Sequence, residues 1–316
     1  LWVSGEKAGA KRSSLGAFDQ SPRIILVEES LIMTAKFFNW SAAVLGLTVA
    51  ISLGAGAASA QYGGGAASPA PAPAQNTPPP KDAGKPVKVN KAEEAAYKNV
   101  LAAQGGDPAM EIQVSEDFIT KFPMSKYVGG VYGLLTTAYY STSQTDKMFG
   151  SGAKALELDP DNVDVLALLA MAIPRRVKAN TPDGPQQLAK AEQYAHHAIE
   201  LIPSMTKPAT VDDATFEKAK NDKLSLCHSG LGLQAINHSK WEDARTELTQ
   251  AVQLASSPDP VDYYLLGNAD AQASYMNGAI AAYDKCAATG PLVTQCKARE
   301  DAMKKDVASG TKLSRD

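Results

Sequence analysis

Residues 263–291 read YYLLGNADAQASYMNGAIAAYDKCAATGP, and their spacing decides the fold. Tyr263, Leu266 and Tyr283 are large, Gly267 and Ala279 are small, and Pro291 closes the run. There is almost no alternation of apolar and polar residues at period two, as a half-buried strand would show. The apolar side chains recur three and four apart, on one face of a helix. The stretch before it repeats the arrangement with Leu231, Gly232, Trp241, Ala244, Leu248 and Ala251, and Ala244 returns as Ala279, 35 residues on. Small residues let two antiparallel helices approach, large ones fill the gaps between them, and proline stops the second helix.

This spacing resembles the tetratricopeptide repeat, whose rule is aromatic-x2-Leu-Gly-x2-Tyr, then Ala-x3-aromatic, then Pro. Earlier units follow it less closely. Tyr132, Leu135, Tyr139, Ala155 and Pro160 fit one unit. Leu166, Leu169 and Ala170, then Ala191, Ala195, Ala198 and Pro203, fit the next, with Pro174 to Pro185 read as a loop insertion. A second insertion, 205–224, carries a helix start at Thr210-Val211-Asp212-Asp213 and is expected to lengthen the following helix. Residues 92–123 keep only helical pattern, Phe118 and Pro123, as a degenerate first unit. Leu292 to Val307 reads as the polar capping helix that a solenoid needs at its end. The resemblance covers 92–308 and implies an all-α, right-handed superhelical solenoid of about five helix-turn-helix repeats with a C-terminal capping helix. Residues 309–316 read as a disordered tail.

The resemblance also implies where a partner binds. The groove positions of the first helices carry over onto Thr137, Tyr140, Leu233, Ile236, Asn237, Tyr264, Asn268 and Gln272. That lining is neutral, aromatic and amide in character. Some members of the family hold an acidic C-terminus with a Lys and Asn clamp. Gly133, Ser229 and Tyr264 stand at the corresponding places here, so no such clamp is expected. A protein or peptide partner held by apolar and amide contacts fits better, and its identity is not written in the sequence.

Ahead of the repeats, Met33-Thr34-Ala35-Lys36, the apolar run Ala42 to Leu53, and Ala58-Ser59-Ala60 form the three parts of a secretory signal. Cleavage is expected after Ala60, at the Ala58 and Ala60 pattern. The apolar core is shorter than the roughly 20 residues of a spanning helix, so membrane contact is expected only through an uncleaved signal. Residues 1–32 are then a mis-assigned gene start or a disordered segment, and 33–60 the signal peptide. Residues 61–91, with Pro69-Ala70-Pro71-Ala72-Pro73 and Pro78-Pro79-Pro80, read as an extended spacer. The expected location is the periplasm or cell envelope. The net charge of −3 argues against nucleic acid as a partner.

Catalytic and metal signatures are not found. His196, His197, His228 and His238 lack companions at ligand spacing, and Asp159 to Asp164 lacks the glycine and closing glutamate of a calcium loop. Ser229 follows His228 directly, a poor arrangement for a nucleophile and its base. No catalytic residue, metal or cofactor is therefore expected. Cys286 and Cys296 lie five residues either side of Pro291, which brings them together across a helical hairpin as a disulfide or as two buried thiols. The function expected is an exported, non-enzymatic interaction scaffold. The alternatives are an assembly protein acting through its convex face or ends and, less favoured, a small-molecule carrier or enzyme.

Overall fold

The structure, a computed structural model, describes residues 90–316 apart from Thr289. Leader, cleavage site and most of the spacer lie outside the described residues. Within them run eleven α-helices and no strand. Five antiparallel pairs succeed one another: α1 (Lys91–Ala103) with α2 (Pro108–Lys121), α3 (Val128–Ser141) with α4 (Thr145–Leu158), α5 (Val163–Arg176) with α6 (Gly184–Leu201), α7 (Asp213–Asn237) with α8 (Trp241–Leu254), and α9 (Pro260–Gln272) with α10 (Met276–Ala287). The eleventh, α11 (Val293–Ala308), packs on α10 and ends the stack. This is a tetratricopeptide-like helical solenoid.

The small residues sit where the helices touch. Ala155, Ala195, Ala244 and Ala279 are fully buried, and a Cβ at Gly267 would stand 2.6 Å from the Tyr283 ring. Both starts and turns follow local chemistry. Asn90, Asp107, Asn162, Asp212 and Asp259 each accept a backbone N–H from the first turn of the helix they open. In three units the turn between the paired helices is the same. Ser143, Ser239 and Ser274 adopt left-handed backbone (φ 58°, 56° and 69°), and the next N–H reaches back to Tyr139, Ala235 and Asp270 respectively. Serine replaces the usual glycine there, so the sequence shows no turn signal at those positions.

Two expectations need correcting. Pro174 and Pro185 do not bound a loop: Pro174 lies inside α5, Pro185 lies in the first turn of α6, and only 177–183 is irregular. A first-turn proline loses no helical hydrogen bond, and Pro174 sits close enough to the end of α5 to be tolerated. The tail is not disordered either. Arg315 N–H donates to Ser274 O at 2.8 Å, Asp316 accepts from Gly278 N–H at 2.8 Å, and the Arg315 guanidinium lies 5.0 Å over the Tyr275 ring. The tail caps α10, whose start lacks a side-chain cap of its own. The 205–224 stretch gives an irregular 205–212 and a 25-residue α7 capped by Asp212.

Cys286 and Cys296 are joined as a disulfide, with Cα atoms 5.8 Å apart, and tie α11 to the last pair. Cys227 is a buried free thiol whose pKa burial pushes up to about 12. Closing so short a loop limits the unfolded chain. Reduction, or Cys286→Ser, is expected to lower stability by about 2–3 kcal/mol, read as a shift in urea midpoint. An unchanged midpoint would remove the disulfide from the account of what holds the cap.

Candidate functional site

The first helices α3, α5, α7 and α9 pack in succession and carry the positions expected to line a groove. The structure divides those eight residues. Ile236 and Tyr264 are core, each 5% exposed; Tyr264 packs against Tyr283 with ring centroids 6.1 Å apart. Asn268 accepts a hydrogen bond from the Tyr283 hydroxyl at 2.8 Å. Leu233 is half-buried, and Asn237 and Gln272 lie at helix ends. Tyr140 and Thr137 remain, and they belong to two different places.

Tyr140 stands beside a buried charge cluster built from three first helices. The Arg175 guanidinium, from the last turn of α5, donates to Asp259 at 2.7 Å, to Asp262 at 2.7 Å and to Ser229 at 2.9 Å. Ser229 in turn donates to Asp262 at 2.6 Å. The Arg175 side chain is 10% exposed and that of Asp262 6%. One cation thus serves two carboxylates. Burial pushes the Asp262 carboxyl up to about 6, against the pull of Arg175. Burial also opposes the charge on Arg175, but Asp259 and Asp262 hold it above its ordinary range. Lys223 of α7 makes a second buried pair with Asp164 of α5. The first helices α5, α7 and α9 are therefore joined by the protein's own ion pairs, beside positions expected to offer a neutral amide lining. Pairing this cluster needed partners 84 and 87 residues away in sequence. No local signal could have shown it.

Thr137 lies on the open part of the same surface. A cleft of about 680 Å³ follows α3 from Val128 to Ser141. The α2–α3 connection, 123–127, and the α1–α2 turn at Gln104, Gly105 and Gly106 also line it. Leu158, Asp159 and Asn162, at the α4–α5 junction, form a side. The glycines of α3 make its floor: a Cβ at Gly130 would meet nothing within 4 Å. The aromatic wall is Tyr97 stacked on Tyr127, ring centroids 3.9 Å apart and planes 6° from parallel. Ser125 and Tyr127 hydroxyls donate to Glu93 and Glu94 and fix that wall to α1. Met124 is 95% exposed at the rim. Fourteen helical residues at 1.5 Å each make the floor roughly 21 Å long, about six residues of extended chain.

The residues weighed for chemistry have ordinary partners. His228 lies 2.7 Å from Glu247 and His197 2.8 Å from Asp161, while Ser229 faces Asp262 and not His228. Asn162 of the acidic stretch caps α5 through Val165 N–H. Among the described residues no group of three His, Cys, Asp or Glu could hold a metal ion, and no helix is long and apolar enough to cross a membrane.

Solved structures that resemble the chain include another helical-repeat protein. A thermophilic TPR protein from Thermus thermophilus is 14% identical, with a TM-score of 0.40, the match covering 67% of this chain and 98% of that one. No family model and no curated protein matches the chain.

Proposed function

We propose that the chain is a non-catalytic interaction module that holds a segment of a partner protein in the cleft along α3. The observation that carries this reading is the cleft itself: an open trough of about 680 Å³, floored by glycine and walled by a stacked tyrosine pair. Such a surface admits a backbone closely and offers aromatic area at little entropic cost. On this reading the signal at 33–60 exports the chain to the cell envelope, and 61–91 spaces the module from its surroundings. What supports export is the pattern of a short basic start, an apolar run and Ala58-Ser59-Ala60.

Gly130→Trp tests it, because Gly130 lines the cleft and a Cβ there stands in open space. Capture of envelope proteins by the full chain should fall at least about tenfold, with helix content by circular dichroism unchanged. Undiminished capture by the variant would defeat the cleft model. Tyr264 is unsuited to such a test, since it is buried and its loss would disturb the fold.

A further inference from the structure

The charges around the cleft do not balance. Its ionisable lining comprises Glu111, Asp159, Asp164 and Lys126, besides the phenols of Tyr97 and Tyr127. Asp164 is already paired with Lys223. Lys126 stands over the Tyr127 ring at 4.7 Å and feels Glu93 and Glu94 from the first turn of α1. Glu111 and Asp159 are left, and neither makes an ion pair among the described residues. Glu111 lies in the first turn of α2, with the backbone of Gly105 in the α1–α2 turn close enough to offset part of its burial. It is partly buried there, and burial pushes its carboxyl up to about 6. A carboxylate desolvated beside an open cleft, with no cation opposite, is a place where an incoming ammonium or guanidinium gains most.

A second group at the same turn is also unsatisfied. Gln104 lines the cleft, and its side-chain amide nitrogen is buried with no acceptor. A carbonyl of a bound chain would supply one. Glu111 and Gln104 thus ask for opposite things from a ligand, a cation and an acceptor. An extended peptide carries both within one or two residues, whereas a lone metal or amine carries only the first.

We infer that the cleft selects an extended partner segment bearing a lysine or arginine side chain, seated against Glu111, with Asp159 favouring further positive charge along the trough. This rests on the cleft reading above and deepens it by naming the chemistry of the partner. It is opposite in sign to a carboxylate-terminus clamp, whose residues this chain lacks at Gly133, Ser229 and Tyr264. The floor's length sets the size of the segment at about six residues.

The test uses the full chain and two acetylated, amidated hexapeptides. One has the sequence Ala-Lys-Ala-Lys-Ala-Ala; the other has acetyl-lysine in place of both lysines. Titration followed by tyrosine fluorescence should give at least tenfold tighter binding of the lysine peptide. The ratio should collapse towards one in Glu111→Gln, while both peptides lose affinity in Gly130→Trp. Equal binding of the two peptides by the native chain, lost in Gly130→Trp, would overturn the charge inference and leave the cleft reading standing. Binding of neither peptide, or binding unaffected by Gly130→Trp, would overturn the inference outright. Envelope capture by Gly130→Trp decides the cleft reading separately. Zero-length carbodiimide coupling of the free chain covers the remaining occupants. Links from Glu111 to the chain's own Lys81, Lys85 or Lys88, or to a second copy, would also overturn it.

Discussion

Replacing Arg175 by alanine is expected to lower stability by about 3–5 kcal/mol, because the buried Asp262 and the half-buried Asp259 then lose the cation that serves both. Asp259 and Asp262 each lie 2.7 Å from the guanidinium, and its side chain is 10% exposed. The effect should also change the shape of unfolding. In a solenoid each unit ordinarily contacts only its neighbours. Arg175 reaches from the third pair to the fifth, past Ser229 of the fourth, and so couples units that otherwise touch weakly. Urea unfolding of Arg175→Ala should therefore show a lower midpoint and a shallower slope, as the C-terminal pairs melt apart from the rest. A sharp transition with a native slope would mean that the bridge does not transmit cooperativity.

The pH dependence follows from Asp262. Its carboxyl is raised to about 6 in the fold, above its value in the unfolded chain. The native state therefore binds the proton first. The group's contribution to stability rises as pH falls through 6 towards 4, and above pH 6 the ionised form costs a constant amount. Without Arg175 the Asp262 carboxyl loses the charge that opposes its burial and depends still more on protonation. The loss caused by Arg175→Ala should thus be smaller at pH 5 than at pH 8, by about 1 kcal/mol or more. Arg175→Met combined with Asp259→Asn and Asp262→Asn should recover most of it, because no buried charge is left unpaired and Asn still caps α9. Equal losses at both pH values would point to lost packing of the long side chain instead.

What could be read from the chain was whatever a few neighbouring residues determine. Gly232, Ala244 and Leu248, then Gly267, Ala279 and Tyr283, meet inside single helix pairs, so their spacing alone discloses them. Cys286 and Cys296 are likewise related by one tight turn. The site is different in kind. Arg175 lies in a stretch that reads as loop, and its partners come from other units. The groove positions carried over by resemblance assume first helices free of one another's charges, whereas the Arg175 cluster and the Lys223–Asp164 pair join them here. The cleft escaped notice because its floor is marked by absent side chains. Gly129, Gly130 and Gly133 carry no side chain to signal a site, and their role appears only once Leu158 at the end of α4 and Asn162 at the start of the next unit stand beside Gly129 and Gly133. The docked tail escaped for a related reason: Ser314 finds Met276, Arg315 finds Tyr275 and Glu242, and Asp316 finds Gly278 only in three dimensions.

Gly230→Val is expected to cost about 4 kcal/mol, and Gly230→Ala about 3 kcal/mol, because the obstruction is backbone and cannot rotate away. A Cβ there would lie 2.2 Å from the carbonyl oxygen of Ala170 on α5, in the broadest contact between first helices. The approach is so close for a reason that involves Pro174. Lacking an N–H, Pro174 cannot give the carbonyl of Ala170, four residues earlier, its usual helical partner. The face of α7 at Gly230 lies against that carbonyl, and any side chain there would force α5 and α7 apart. Gly150 on α4 provides the contrast: a Cβ there meets nothing within 4 Å, so Gly150→Ala should gain up to about 1 kcal/mol from helix propensity alone. The two prolines read as loop boundaries thus have different roles, and Pro174 acts through Gly230. Restoring the N–H with Pro174→Ala should draw the Ala170 carbonyl back towards the axis of α5. The double variant Pro174→Ala with Gly230→Ala should then be more stable than the sum of the single losses predicts, by about 0.5–1 kcal/mol in a double-mutant cycle. Strict additivity would separate the glycine from the proline and leave close packing as the sole reason for Gly230.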